Sequence, residues 1–221
     1  MSGLIIATLT GRTVEDMVEL AIEAVEQGAD MLEVRLDYLD NLDLRTALRA
    51  VRECSMYERV VATLRRKEEG GLYEGDEERR LEILERVSEE ADFVDVELDV
   101  AEEDVIDPAC DVIVSHHDFE GTPSKEELFE LRDRCAELGD VAKVVPTARS
   151  HADALRVLEM VATADSPTIG FAMGELARYT RVVSLLMGGF ATYAAVRGAA
   201  APGQMTVEEV RKMLEILKKE R

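Results

Sequence analysis

The sequence has few of the residues that form disulfides or bind metals. Its three cysteines, Cys54, Cys110 and Cys135, show no CxxC spacing, and an odd number of thiols cannot all pair. Its three histidines form neither an HExxH motif nor a His-x-His pair. This spacing predicts no bound metal. Because no signal peptide follows Met1, we expect free thiols and a cytoplasmic location.

Positive charge and long apolar stretches are also scarce. The 221 residues include 26 Lys and Arg against 47 Asp and Glu, a formal net charge of −21. Such a chain is repelled by nucleic-acid phosphates and by anionic membranes, which argues against both partners. The longest uncharged stretch, between Arg181 and Arg197, is shorter than the roughly 20 residues of a membrane helix. An acidic small molecule could bind only at a local cluster of Arg or Lys.

The order of apolar and charged segments predicts the fold. No linker or low-complexity segment divides the chain, so we expect residues 1–221 to form one domain. Eight apolar strands are predicted: Leu4–Leu9, Asp30–Leu36, Arg59–Leu64, Ala91–Leu98, Asp111–Ser115, Val141–Val145, Thr168–Ala172 and Phe190–Val196. Amphipathic helical segments such as Val14–Gln27 separate them. Eight such units predict a single-domain (β/α)8 TIM barrel of the short kind. A doubly wound open sheet is the alternative, but no GxGxxG follows the first strand.

Charged residues cluster where the predicted strands end. Two strands end in alternating charges, which strand geometry places on one face: Glu33, Arg35 and Asp37, and Asp95, Glu97 and Asp99. A third strand ends at Arg65. A salt bridge at the barrel rim would explain any one of these residues. The whole set favours an active site, because active sites of such barrels lie at the C-terminal ends of the strands.

The fifth strand ends in a tandem histidine pair, His116-His117. Adjacent strand residues point to opposite faces, so only one of the two faces the barrel axis. The pair could belong to a metal site, but the only other histidine, His151, opens a later helix. The spacing therefore disfavours a metal site.

The sixth strand contains Lys143, and no other lysine lies in a predicted strand. Its amine could simply reach the solvated rim. Alternatively, burial disfavours the ammonium form, and a neutral amine can condense with a ketone to give a Schiff base. A histidine one strand away is a suitable partner for the proton transfers. Lys143 with His117 therefore predicts Schiff-base chemistry.

Several short motifs occur together in one order along the chain. They are Glu33-Val34-Arg35-Leu36-Asp37, Arg65 followed by Glu69-Gly70-Gly71, His117-Asp118-Phe119, Lys143, Met173 with Arg181, and Ala201-Pro202-Gly203-Gln204. In these motifs the chain resembles type I 3-dehydroquinate dehydratase, the Schiff-base enzyme of the shikimate pathway. The resemblance extends from the first strand to the last helix and selects His117 over His116.

The resemblance implies reversible dehydration of 3-dehydroquinate to 3-dehydroshikimate, without a metal or organic cofactor. It implies that Lys143 forms the Schiff base, that His117 transfers protons and that Glu69 orients His117. The implied substrate-binding residues are Glu33, Arg35, Arg65, Arg181 and Gln204. It also implies a homodimer.

The chain departs from the family pattern at three positions. The family usually has Gly and Ser where this chain has Ala177 and Thr180, just before Arg181. Ala200 stands where bacterial members commonly carry Ser, so this position offers no side-chain hydroxyl.

Two other functions fit parts of the pattern. A Schiff-base aldolase acting on sugar phosphates would usually bind phosphate at glycine-rich loops after strands seven and eight. Here Gly188-Gly189 precede strand eight and lie at the opposite face. A non-catalytic acidic scaffold would leave Lys143 and the aligned charges without a purpose, although buried charge is costly to keep.

Overall fold

The computed structural model describes residues 3–198 and 203–218, in which eight strands and eight helices alternate. The strands are β1 (Leu4–Leu9), β2 (Met31–Arg35), β3 (Val60–Thr63), β4 (Phe93–Glu97), β5 (Asp111–Asp118), β6 (Val141–Pro146), β7 (Thr168–Gly170) and β8 (Ala191–Ala195). The helices are α1 (Val14–Glu26), α2 (Leu44–Cys54), α3 (Glu77–Ser88), α4 (Leu98–Glu103), α5 (Lys125–Leu138), α6 (His151–Ala162), α7 (Thr180–Leu186) and α8 (Val207–Lys218). None of these helices is long and apolar enough to cross a membrane.

The eight strands form one parallel sheet that curves into a nearly closed barrel. From β1 to β7 each strand pairs with the next one in the chain, and β8 pairs with β1, which gives the order β7-β6-β5-β4-β3-β2-β1-β8. A hydrogen bond of 2.8 Å from the Phe190 amide to the Thr168 carbonyl joins the two ends of the sheet. The predicted (β/α)8 barrel is therefore confirmed, and the open doubly wound sheet is wrong.

The strand boundaries differ from the predicted ones by a few residues. β5 and β6 extend further than predicted, whereas β2 and β4 stop early because a helical turn begins directly after them, at Leu36 and Leu98. Helix α5 begins with a capping box formed by Ser124 and Glu127. Gly139 ends that helix in an extended conformation, and a Cβ atom there would lie 2.6 Å from a methyl group of Val114. Close packing, not a left-handed turn, therefore requires this glycine.

The barrel interior is apolar at its N-terminal end and polar at its C-terminal end. An apolar cluster fills the lower interior and includes Ile6, Met31, Val61, Phe93, Ile113, Val141, Ile169 and Ala191. Two residues further along several strands, the inward position becomes polar, as at Glu33, Ser115 and Lys143. The fold thus supports a charged site on a packed apolar base.

Candidate active site

A cavity of about 150 Å³ opens at the C-terminal end of the barrel. The structure brings together around it all eight residues predicted for the site: Glu33, Arg35, Arg65, Glu69, His117, Lys143, Arg181 and Gln204. His116, the other member of the tandem pair, is not among the lining residues. The alternation of side chains along β5 therefore places His117 at the cavity, the same histidine that the motif His117-Asp118-Phe119 indicates.

Lys143 lies in the wall of this cavity with only 4% of its surface exposed. Its Nζ donates a hydrogen bond of 2.7 Å to Oδ2 of Asp95 on β4. The same Nζ lies 4.1 Å from the ring centroid of Tyr193 on β8, close enough for a cation–π interaction. The amine is thus held between a carboxylate and an aromatic face and has little freedom to reach the rim.

Asp95 connects Lys143 to the rest of the charged network. One oxygen pairs with Lys143, while the other accepts hydrogen bonds from Arg65 and from the Ser115 hydroxyl, the latter at 2.6 Å. Burial alone would raise the pKa of Asp95, but the charges of Arg65 and Lys143 outweigh it and lower that pKa. Asp95 is therefore an ionised carboxylate that stabilises the positive charge of the amine.

His117 and Glu69 form the second polar pair of the cavity. Nδ1 of His117 lies 3.0 Å from Oε2 of Glu69. Burial lowers the pKa of His117 to about 4, and the hydrogen bond to Glu69 only partly opposes this shift. Burial raises the pKa of Glu69, but the hydrogen bond with His117 and the nearby positive charge, that of Arg65 included, together lower it below its ordinary value, so this carboxylate is ionised. A neutral imidazole that donates from Nδ1 to Glu69 leaves Nε2 free to accept a proton.

Two glycines explain how Glu69 reaches His117. Gly70 adopts a left-handed conformation with φ of +77°, and a Cβ atom there would lie 2.6 Å from the ring of Phe119. At Gly71, a Cβ atom would lie 2.1 Å from the carbonyl oxygen of Arg65. Only glycine fits either position, so the Glu-Gly-Gly sequence folds the loop after β3 back over the barrel and directs Glu69 towards β5.

Arg181 is the buried cation of the cavity without an acidic partner among the residues that the structure describes. It is 3% exposed, and its Nη1 donates a hydrogen bond of 3.2 Å to the carbonyl of Tyr193. Its guanidinium stacks on the ring of Phe171, with Cζ 4.1 Å from the centroid. Burial lowers the pKa of Arg181 to about 10, which still leaves it charged at neutral pH. This is an arrangement that can accept an anion from solution.

The other charged residues of the cavity already have partners within the chain. Arg35 makes two hydrogen bonds to Asp37, of 2.9 and 2.7 Å, and Arg65 pairs with Asp95 and Glu97. Glu33 accepts a hydrogen bond of 3.0 Å from the Thr63 hydroxyl and is 4% exposed. These groups form a rigid polar wall suited to binding hydroxyl groups.

Two of the carboxylates predicted to share a strand face do not lie on a strand. Asp37 lies in the helical turn after β2, where it holds Arg35 and accepts from the Leu72 amide. Asp99 lies in α4, is largely exposed and pairs with Arg66. The predicted alternation fails at these two positions because a helical turn begins before the third charge on each strand.

The loop after β7 contains two of the departures from the family pattern. The Thr180 hydroxyl accepts a hydrogen bond of 3.0 Å from the Ala172 amide and donates one of 2.7 Å to the Ala177 carbonyl. Thr180 therefore closes the loop that positions Arg181. Gly203 donates its amide to Glu175 in the same loop, at 2.9 Å. Residues 199–202, which include Ala200 and the Ala201-Pro202 part of the last motif, lie outside the described residues.

Two residues of the site, Asp95 and Tyr193, have no role predicted from the sequence. Asp95 stands out there only as one of three alternating carboxylates, although a charge inside a buried strand is a usable signal. Tyr193 gave no signal, because an aromatic residue in an apolar strand is ordinary barrel core. Within the described residues, His, Cys, Asp and Glu side chains form no group of three that could hold a metal ion.

Comparison with known proteins agrees with this geometry. The type I 3-dehydroquinase family model matches residues 5–221. A 3-dehydroquinate dehydratase of Methanopyrus kandleri is 78% identical over 97% of this chain and its own full length. One from Methanothermobacter thermautotrophicus is 39% identical over 92% of each chain.

The structural comparison gives the same family. The crystal structure of 3-dehydroquinate dehydratase from Geobacillus kaustophilus superposes with a TM-score of 0.87 at 28% identity, covering 98% of this chain and 91% of the other. The match to the family model extends over nearly the whole chain, including every residue that lines the cavity. The chain therefore belongs to the type I 3-dehydroquinase family.

Proposed function

We propose that this protein catalyses the reversible dehydration of 3-dehydroquinate to 3-dehydroshikimate through a Schiff base on Lys143. It would thereby serve the biosynthesis of chorismate and the aromatic amino acids. The observation that carries the proposal is that two buried groups line the same cavity: the amine of Lys143 and the guanidinium of Arg181, which has no counter-ion among the described residues. A substrate with a ketone and a carboxylate fits these two groups.

Lys143 attacks the C3 ketone of the substrate. The resulting carbinolamine loses water and becomes an iminium ion, which draws electrons from the neighbouring carbon. The amine must first give up a proton and its contact with Asp95. Once formed, the iminium carries a positive charge where the ammonium was, so Asp95 stabilises it in the same way.

His117 moves the protons of the dehydration. Its neutral imidazole removes a proton from C2, which converts the iminium to an enamine. The enamine then expels the C1 hydroxyl, and the protonated His117 donates its proton to that leaving group, so that water departs. Glu69 holds the imidazole through Nδ1, which leaves Nε2 directed at the substrate. Hydrolysis of the product iminium frees Lys143.

The remaining residues bind and orient the substrate. Arg181 pairs with the substrate carboxylate, which supplies the anion that this buried cation lacks. Glu33, Arg35 and Arg65 hydrogen-bond the ring hydroxyls, and Gln204 contacts the substrate from the loop after β8. The reaction uses no metal or organic cofactor in this scheme, because the iminium is the electron sink.

A direct assay tests the proposal. The product has a carbon–carbon double bond conjugated with its ketone, so turnover of 3-dehydroquinate raises the near-ultraviolet absorbance. Wild-type protein should show this rise in the enone band at about 220–250 nm, and Lys143→Met should abolish it. Lys125→Met, which changes an exposed lysine on α5, should retain full activity. Failure of the wild-type protein to produce the conjugated ketone would refute the proposed function.

We also propose that the protein is a cytoplasmic homodimer and that residues 1–221 form one catalytic domain. The support is the family resemblance and the net charge of −21, which disfavours nucleic-acid and membrane partners. Sedimentation of the purified protein as a 24.5 kDa monomer would contradict the dimer.

A further inference from the structure

The hydroxyl group of Tyr193 makes no hydrogen bond to any residue that the structure describes. The residue is 5% exposed and lines the cavity, yet its hydroxyl oxygen is buried and has no hydrogen-bond partner in the described part of the chain. Buried polar groups are almost always hydrogen-bonded, because removing them from water without a partner is unfavourable. We therefore look for its acceptor outside the described residues, and a substrate bound in the cavity can supply one.

The aromatic ring of Tyr193 does not explain the hydroxyl. The ring supports the Lys143 amine at 4.1 Å and packs against Phe171, with centroids 6.3 Å apart. A phenylalanine would provide both contacts. The same inner cluster uses phenylalanine at two other positions, Phe93 and Phe171. The phenol is thus the distinctive feature of this position.

The surroundings keep this hydroxyl protonated. Burial raises the pKa of Tyr193 well above its usual value of 10, and the carboxylates of Glu33 and Asp95 raise it further. The group is consequently a hydrogen-bond donor at neutral pH. An oxygen of a bound substrate is an acceptor that suits it.

We propose that the Tyr193 hydroxyl donates a hydrogen bond to the substrate hydroxyl on C4, and so selects ketones that carry an adjacent hydroxyl. This inference rests on the proposed function, because Lys143 fixes the position of C3. The ring centroid of Tyr193 lies 4.1 Å from the Lys143 Nζ, so we place its hydroxyl beside the carbons next to C3. Of these two carbons, C2 bears only hydrogens, whereas C4 bears an oxygen.

The test combines one protein change with one substrate change. The value of kcat/KM is measured for wild type and Tyr193→Phe, with 3-dehydroquinate and with its 4-deoxy analogue. With 3-dehydroquinate the variant should lose about 3- to 10-fold in kcat/KM, the effect of one neutral hydrogen bond. With the 4-deoxy analogue, wild type and variant should be equal, because the acceptor is missing. Tyr57→Phe, at an exposed tyrosine, should match wild type with both substrates.

Two results would overturn the assignment. If Tyr193→Phe lowers kcat/KM by the same factor for both substrates, or for neither, the hydroxyl does not bind the C4 oxygen. A melting temperature several degrees below that of wild type in the free variant would show that the hydroxyl bonds the protein instead. Neither result contradicts the proposed function as long as the wild-type protein dehydrates 3-dehydroquinate. If the wild-type protein fails to dehydrate 3-dehydroquinate, both the proposed function and the assignment of Tyr193 are wrong.

Discussion

Lys143 on β6 and Asp95 on β4 form an ion pair of 2.7 Å, although a whole strand, β5, lies between them in the sheet. The pair spans this distance because both side chains point into the barrel. Ser115 on β5 stands in register beside Lys143 and donates its hydroxyl to the same carboxylate. The Lys143 amine is therefore fixed by three strands, which set its position within the cavity of the free protein.

Asp95→Asn tests the importance of this carboxylate. The change leaves two buried cations, Lys143 and Arg65, with a neutral amide, so we expect a large loss of stability. Breaking a buried ion pair in this way lowers the free energy of unfolding by about 3–5 kcal/mol. We also expect kcat/KM to fall at least about 100-fold, because the iminium loses its counter-ion.

Asp99→Asn is the matched control for that change. Asp99 lies four residues further along, and its carboxylate pairs with Arg66 in a largely exposed position. Exposed pairs contribute about 1 kcal/mol or less, so denaturant unfolding should barely change. Equal effects of the two substitutions would contradict the role given to Asp95.

The pH dependence of kcat/KM tests the state of His117. Its pKa is lowered to about 4 from an ordinary value near 6.5, so the imidazole stays neutral until the solution is more acidic than usual for histidine. Activity should therefore persist as the pH falls through 6.5 and should decline only towards pH 4. An acid limb of the kcat/KM profile centred at 6.5 or above would show that burial does not control this residue.

Replacing Arg181 separates binding from folding. Arg181→Met removes the proposed partner of the substrate carboxylate, so kcat/KM should fall about 10- to 100-fold, the effect of one charge-assisted hydrogen bond. The same change removes a buried charge that lacks a counter-ion in the described structure, so denaturant unfolding should show little loss of stability. Unchanged kinetics with a clear loss of stability would make Arg181 a structural residue.

Treatment with EDTA tests the proposed absence of a metal requirement. The scheme assigns every charge and proton transfer to side chains, so dialysis against EDTA should leave kcat/KM unchanged. Metal analysis of the dialysed protein should accompany the assay. Loss of activity that added zinc restores would show a metal site that the scheme lacks.

Local patterns in the sequence predicted the barrel and singled out Lys143, whereas the full set of eight cavity residues was implied only by the family resemblance. Strand–helix alternation is repeated eight times, and a lone lysine in a valine-rich strand stands out without reference to any other part of the chain. His117 and Lys143 lie on the neighbouring strands β5 and β6, so the parallel sheet alone brings them close together.

Partnerships between distant segments could not be predicted in this way. The pairing of Asp95 with Lys143 depends on the stagger of β4, β5 and β6, which a single sequence does not reveal. Arg181 has no carboxylate partner among the described residues, and this depends on which carboxylates pair with other cations. Likewise, the lack of a hydrogen-bond partner for the Tyr193 hydroxyl can be recognised only when the positions of the neighbouring acceptors are known.

Borohydride trapping tests the central claim, that Lys143 forms a covalent imine with the substrate. The protein is incubated with 3-dehydroquinate, reduced with borohydride and examined by intact mass spectrometry and peptide mapping. We predict one reduced ligand per chain, attached to Lys143, and no adduct in Lys143→Met. His117→Ala should still form the adduct, more slowly, because the amine remains. An adduct on a different lysine, or normal turnover by Lys143→Met, would contradict the mechanism.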